Sequence, residues 1–132
     1  MEILLSLLIE WMSLNTDMSI EEIPNIVIMS PEALDKKYGK PVHALYEHQK
    51  STIFLSHKID LTTIQGASVL LHELVHHHQN MSGAMDDYNC IQESEKLAYE
   101  VQRQYLTANS AKLMPELDSF NIMMRSFCED VP

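Results

Sequence analysis

The feature of this sequence that most constrains its fold is an apolar stretch around residue 70 that also contains ionisable side chains. From about Thr62 to Asn80 the pattern is helical. The apolar positions of this stretch are Val69, Leu70, Leu71, Leu74 and Val75. A helix with so many apolar positions is expected to be buried. Residues 72–76 nevertheless read His-Glu-Leu-Val-His, so the buried helix must accommodate two imidazoles and one carboxylate.

These five residues form a complete H-E-x-x-H motif. Residues four apart lie on one face of a helix, so His72 and His76 can bind the same ion. Glu73 points about 100° away from that face and is expected to lie beside the ion rather than on it. The motif therefore predicts a Zn²⁺ site in which Glu73, as general base, activates a zinc-bound water for peptide hydrolysis.

Two histidines leave a catalytic zinc site short of a protein ligand, because such sites commonly have three ligands and a water. A second helix, predicted from about Asn89 to Ala108, contains three candidates for the missing ligand: Glu93, Glu95 and Glu100.

Together these residues resemble the gluzincin metallopeptidases, the family that includes thermolysin. Glu95 lies nineteen residues after His76, and Glu95-Lys-Leu-Ala98-Tyr99 is similar to the E-x-x-A-[NY] variant of the family's second motif. The resemblance implies that His72, His76 and Glu95 bind zinc and that Tyr99 supports a histidine ligand. At this length the chain is similar to a minigluzincin, a compact single-domain form.

The resemblance also implies how substrate binds. Gluzincins hold peptides by strand addition to an edge strand near the active-site helix, and Thr52–Leu55 is similar to that strand. The metzincin extension, with a third histidine six residues after the motif, is absent, because position 82 is serine rather than histidine.

The order of predicted elements indicates one α+β domain over 1–132, zincin-like, with a small mixed β-sheet, the active-site helix and further C-terminal helices. A helix is predicted over 1–15 and a helical turn within 19–24. Strands are predicted at Ile26–Met29, Val42–Tyr46 and Thr52–Leu55, and a helix begins at Ser30 and Pro31. The last helix is predicted from Pro115 to about Cys128.

The charge of the chain limits its partners. Nineteen acidic and nine basic residues give a net charge of -10, which repels nucleic acid and acidic membranes. No apolar run is long enough to span a bilayer. The expected partner is a peptide or protein substrate, and the oligomeric state is left open. We expect a cytoplasmic protein, or an exported one if Cys90 and Cys128 form a disulfide.

Two other functions fit the same residues. One is a catalytically silent zinc-binding scaffold or interaction protein, and the other is a regulatory protease specific for one partner protein.

The group that would stabilise the oxyanion is unassigned among four candidates: Tyr88, Tyr105, His78 and Arg125. His77 and His78 are expected on other helical faces than the zinc ligands, at the surface or near the site.

Overall fold

The computed structural model describes residues 1–128, which form five α-helices and three β-strands. The helices are α1 (Glu2–Asn15), α2 (Pro31–Tyr38), α3 (Ile64–Met81), α4 (Glu93–Ala108) and α5 (Ser119–Arg125). The strands are β1 (Asn25–Met29), β2 (Ala44–Glu47) and β3 (Thr52–Ser56). This architecture confirms the predicted α+β class with a small mixed sheet.

The three-stranded sheet has the order β1-β3-β2. β3 runs parallel to β1 and antiparallel to β2. The prediction that Thr52–Leu55 is an edge strand is therefore wrong, because β3 is paired on both sides. All five of its residues are buried, and an uninterrupted apolar run is typical of such a central strand. Within the described residues β2 has β3 as its sole strand partner.

Helix α3 lies in the centre of the molecule, between the sheet and α4. Leu70, Leu71, Leu74 and Val75 have no exposed surface. They belong to one apolar cluster with side chains from α1, β2, β3 and α4. Because apolar neighbours surround α3, His72, Glu73 and His76 are held in a region from which bulk water is largely excluded.

The start of α3 is fixed by a close backbone contact at Gly66. The Thr63 hydroxyl caps the helix by accepting from the Gly66 N–H and also donates to the Asp60 carbonyl. A Cβ atom at position 66 would lie 1.8 Å from that same carbonyl oxygen. Only glycine allows the preceding loop to approach the helix this closely.

Several elements differ from those predicted, among them β2, which covers Ala44–Glu47 rather than Val42–Tyr46. Residues 19–24 form no helical turn, and α4 begins at Glu93 rather than near Asn89. The C-terminal part is divided into a 3₁₀ turn at Pro115–Leu117 and the short helix α5. The Asp118 carboxylate caps α5 by accepting from the Asn121 N–H, so a new helix starts where one continuous helix was expected.

Two further observations concern the chain as a whole. Cys90 and Cys128 form a disulfide with their Cα atoms 5.7 Å apart. No helix in residues 1–128 combines the length and apolar character needed to cross a bilayer.

Candidate metal centre

Three donor atoms from α3 and α4 converge at one point. His72 Nε2 lies 3.3 Å from His76 Nε2 and 3.2 Å from Glu95 Oε1, and His76 Nε2 is also in contact with Glu95 Oε1. In a tetrahedral zinc site with bonds of 2.0–2.1 Å, neighbouring donors are about 3.3 Å apart. The separations of His72 Nε2 from the other two atoms match this spacing, while His76 Nε2 and Glu95 Oε1 lie closer together than two zinc ligands would.

The tautomer of His72 is fixed by Gln102 on α4. The Ser68 hydroxyl donates to the Gln65 carbonyl, so Ser68 Oγ is left to accept from Gln102 Nε2 at 3.1 Å. Gln102 Oε1 then faces His72 Nδ1 at 3.1 Å and accepts its proton. The unprotonated nitrogen of a neutral His72 is consequently Nε2, which faces Glu95.

An equivalent arrangement orients His76. Gln79 Nε2 donates to the backbone carbonyl of Ser94 at 3.0 Å, and a carbonyl can only accept. Gln79 Oε1 must therefore accept from His76 Nδ1, at 2.8 Å. Both neutral imidazoles thus direct a lone pair at the carboxylate of Glu95. Such a cluster of acceptors is stable only with a cation among them, either a proton or a metal ion.

The electrostatics of the metal-free site agree with this account. Burial raises the pKa of Glu95, but hydrogen bonds from the histidine Nε2 atoms, made when these atoms carry a proton in place of a metal, outweigh it and hold the pKa well below its ordinary value. Burial lowers the pKa of His76, yet the hydrogen bond to Glu95 and the charge of Glu73 raise it overall. Glu95 is therefore the anion that a cation at this position would neutralise.

Glu73 lies beside the three donors on α3. Its side chain is buried, and a carboxylate oxygen lies within 4.8 Å of the donor atoms of His72 and His76. Burial raises the pKa of Glu73, while the charges of the two histidines oppose that shift. The carboxylate of Glu95, which directly contacts both histidines, is the better candidate for a third ligand. Glu73 is left as a neighbouring buried base.

Tyr99 contacts the site through its ring rather than its hydroxyl. Its ring centroid is 4.4 Å from that of His72 in an edge-on arrangement. The hydroxyl accepts from Arg125 at 2.9 Å, and the guanidinium lies over the Tyr99 ring, 5.4 Å from its centroid. The hydrogen bond that supports His72 comes from Gln102 instead.

Sequence reasoning missed the two glutamines that orient the ligands. Gln79 lies one turn after His76, and Gln102 lies two turns after Glu95 on the same face of α4. Helical spacing from the ligands was the available signal, although glutamine has no metal-site motif of its own.

The other two glutamates face away from the donors. Glu93 accepts from the backbone and side-chain amides of Asn89 and lies 3.4 Å from Cys128 Sγ. Glu100 is exposed.

The two histidines after His76 hold the loop that follows α1. His77 is buried; it accepts from the Tyr46 hydroxyl at Nδ1 and donates to the Glu22 carbonyl from Nε2. His78 donates to the Ser19 carbonyl. His77 is therefore a buried anchor rather than a surface residue.

Two candidates for oxyanion stabilisation have other contacts. Tyr105 packs edge-on against Trp11 in the core, with ring centroids 5.2 Å apart. The Tyr88 hydroxyl accepts from Gln79 Nε2 at 3.2 Å, on the side of His76 that faces away from Glu95.

Comparison with protein families gives a match over nearly the whole chain. A family model described as "Domain of unknown function (DUF6647)" matches residues 1–131. No curated protein and no solved structure matches the chain.

Proposed function

The chain belongs to the family described as "Domain of unknown function (DUF6647)", and from the geometry of its metal centre we propose that it is a zinc-dependent metallopeptidase of the gluzincin type. The observation that carries this proposal is the convergence of His72 Nε2, His76 Nε2 and Glu95 Oε1 on one point, with the Nδ1 atom of each histidine held by a glutamine. Three such ligands leave a fourth position for water, as in catalytic zinc sites.

The proposed chemistry divides between the metal and Glu73. A Zn²⁺ ion held by His72, His76 and Glu95 would supply Lewis-acid chemistry, lowering the pKa of water and polarising a peptide carbonyl. Glu73 takes the proton of the attacking water and returns it to the leaving amine. Burial raises the pKa of Glu73 above that of an ordinary glutamate, which is the direction expected for a carboxylate that both accepts and returns a proton.

Substrate binding is proposed at β2 rather than at β3. Within the described residues the outer edge of β2 is free of a strand partner, so an extended peptide can pair with it. β2 also lies close to the ligand helix, because its Tyr46 hydroxyl contacts His77, the residue next to His76. A peptide added to this edge would run alongside α3.

The expected partners remain peptides or proteins, since the net charge of -10 disfavours nucleic acid.

Our proposal for the cellular compartment differs from the expectation based on the sequence. A Cys90–Cys128 disulfide is typical of an oxidising environment, so we propose export in place of the cytoplasmic location expected earlier.

A catalytically silent zinc scaffold is the second candidate. It is favoured by one observation, the short distance between the Glu73 carboxylate and the histidine donors. If Glu73 were a fourth ligand, the site would be closed to water and the zinc would be structural. A protease specific for one partner protein would share the site proposed for a general peptidase and differ only in substrate.

The Glu73→Gln variant tests the proposal against the scaffold. Zinc per chain is measured for both proteins by elemental analysis, and cleavage of a random peptide library by mass spectrometry. The expected result is equal zinc in both and cleavage by the native protein alone. A variant that loses zinc would support the scaffold, and a variant that still cleaves would overturn the assignment of Glu73. Cleavage of one native protein without cleavage of the library would identify the partner-specific protease.

A further inference from the structure

The C-terminal segment, residues 115–128, contacts α4 through few apolar side chains. Leu117 and Ile122 are buried, each with no more than 3% of its surface exposed. Its other large apolar side chains point to solvent: Phe120, Met123, Met124 and Phe127. Two buried side chains and a seven-residue helix provide little apolar stabilisation. Docking of this segment therefore depends on its specific links to α4.

One of these links is covalent. Cys128, at the end of the segment, is bonded to Cys90, which lies three residues before the start of α4. Glu95 is the third residue of that helix. The disulfide thus joins the C-terminal segment to the turn that carries one metal ligand.

A second link leads to another ligand. Arg125 donates to the Tyr99 hydroxyl and lies over its ring, and the Tyr99 ring packs against the imidazole of His72. Arg125 is on the solvent side of this stack, since it is exposed while Tyr99 is partly buried. Arg125 therefore limits the movement of Tyr99 away from His72. It is a positioning residue, because it acts on the ligand through another side chain.

We propose that the Cys90–Cys128 disulfide is a redox switch for the metal centre, which holds Arg125 on Tyr99 when formed and releases the C-terminal segment when reduced. The inference rests on the proposed zinc function and concerns its regulation. In a reducing compartment the segment is undocked, the His72 ring is less constrained and zinc is released faster. After export the bond forms and the site becomes complete, so activity appears only in the oxidising compartment.

The redox step is ordinary thiol–disulfide exchange. Oxidation removes two electrons and two protons from the thiols of Cys90 and Cys128, and a partner disulfide accepts them to become two thiols. In the laboratory a water-soluble phosphine reverses the step. The phosphine is oxidised to its oxide with oxygen from water, and both cysteines become thiols.

The first test compares zinc release from the oxidised and the phosphine-reduced zinc-loaded protein, using a chromogenic chelator. We expect reduction to speed release about tenfold, the lower end of what loss of a supporting contact to a metal ligand costs. The variant Cys90→Ser/Cys128→Ser should release zinc at the fast rate whether or not phosphine is present. Equal rates for the oxidised and reduced protein would overturn the inference.

A matched pair of arginine variants separates the Tyr99 contact from docking in general. Arg103 also links α4 to the segment, by donating to the Ser119 hydroxyl at 2.8 Å, but has no contact with Tyr99. Arg125→Gln should speed zinc release and alter the visible spectrum of the cobalt-substituted protein, while Arg125→Lys should partly restore both. Arg103→Gln should change neither. Equal effects of the two glutamine variants would reduce Arg125 to a docking residue and overturn its positioning role.

A readout without metal distinguishes failure of the switch from failure of the zinc proposal. Amide hydrogen exchange of the metal-free protein should rise in α5 on reduction and stay unchanged in α3. If α5 responds but the protein never binds zinc, the proposed function fails and the regulatory inference falls with it. If the protein binds zinc but α5 exchange does not respond to reduction, the switch alone is refuted.

Discussion

His76 Nδ1 lies 2.8 Å from Oε1 of Gln79, one turn further along the same helix, and this contact determines which nitrogen of His76 faces Glu95. The Gln79 amide is in turn held by the carbonyl of Ser94 on the neighbouring helix. Ligand orientation therefore depends on residues that would not themselves touch a metal. His72 is oriented in the same way by Gln102.

Replacing these glutamines should weaken zinc binding without removing a ligand. Gln102→Leu keeps the size of the side chain but removes the acceptor for His72 Nδ1, so we expect the zinc dissociation constant to rise about 10–100-fold. Competition with a chelator of known affinity measures the change. Gln104→Leu, on the exposed face of the same helix, is the matched control and should leave the constant unchanged. An unaltered constant in Gln102→Leu would mean that the amide does not orient the ligand.

Two neighbouring glutamates provide a direct test of the third ligand. Glu95→Gln should abolish stoichiometric zinc binding, because a neutral amide replaces the anion between the two histidines. Glu93→Gln should retain one zinc per chain, since Glu93 faces Asn89 instead. Elemental analysis after dialysis gives both values. Retention of zinc by Glu95→Gln together with its loss from Glu93→Gln would exchange the two assignments.

The stability of the metal-free protein should be greatest at mildly acidic pH. The pKa of Glu95 is lowered below its ordinary 4.5, so its contribution is present above that pH and is lost as the pH falls through the lowered value. The pKa of His76 is raised above its ordinary 6.5, so its contribution is present below that pH and is lost as the pH rises through the raised value.

Both stabilising contributions are therefore fully present between pH 4.5 and pH 6.5. The melting temperature of the protein in excess chelator should be highest within this range, and the melting temperature of the Glu95→Gln variant should vary less with pH. Added zinc should stabilise more as the pH rises, because the metal competes with the proton on His76. A melting temperature that keeps rising above neutral pH without metal would contradict the assignment of the pair.

Gly66→Ala should destabilise the fold and leave the chemistry of the site intact. The new Cβ would overlap the backbone oxygen of Asp60 at 1.8 Å, and a backbone atom cannot yield as a flexible side chain does. We expect a loss of about 2–3 kcal/mol in the free energy of unfolding, as for an overpacked core position. Ala67→Gly, one residue on, serves as a control for helix propensity, with an expected cost of about 1 kcal/mol. Equal losses in the free energy of unfolding for the two variants would contradict the steric explanation.

The sequence identified the elements of the fold more reliably than their arrangement. The apolar run over Ile53–Leu55 indicated a strand, but whether it is central or at an edge depends on which strands pair with it, and β1 comes from a distant part of the chain. Helix α3 could be predicted because residues on one face of a helix are only four positions apart in the sequence. The C-terminal helix was shorter than predicted because Asp118 starts a new helix by capping it.

At the site, the H-E-x-x-H motif identified His72, Glu73 and His76. The choice of Glu95 followed from the resemblance to gluzincins rather than from the residues alone. The roles of Gln79 and Gln102 were not predictable, because each depends on an acceptor supplied by a different helix. Tyr99 was found, but its contact with His72 is a ring contact, and spacing along a helix does not distinguish that from a hydrogen bond.

The run of three histidines after Val75 has a practical consequence for handling the protein. In His77 both ring nitrogens are occupied, one accepting from Tyr46 and the other donating to the carbonyl of Glu22. His78 has one ring nitrogen engaged by the Ser19 carbonyl. A tract that looks like a natural affinity tag therefore offers little to immobilised nickel, and an untagged preparation should pass through such a column.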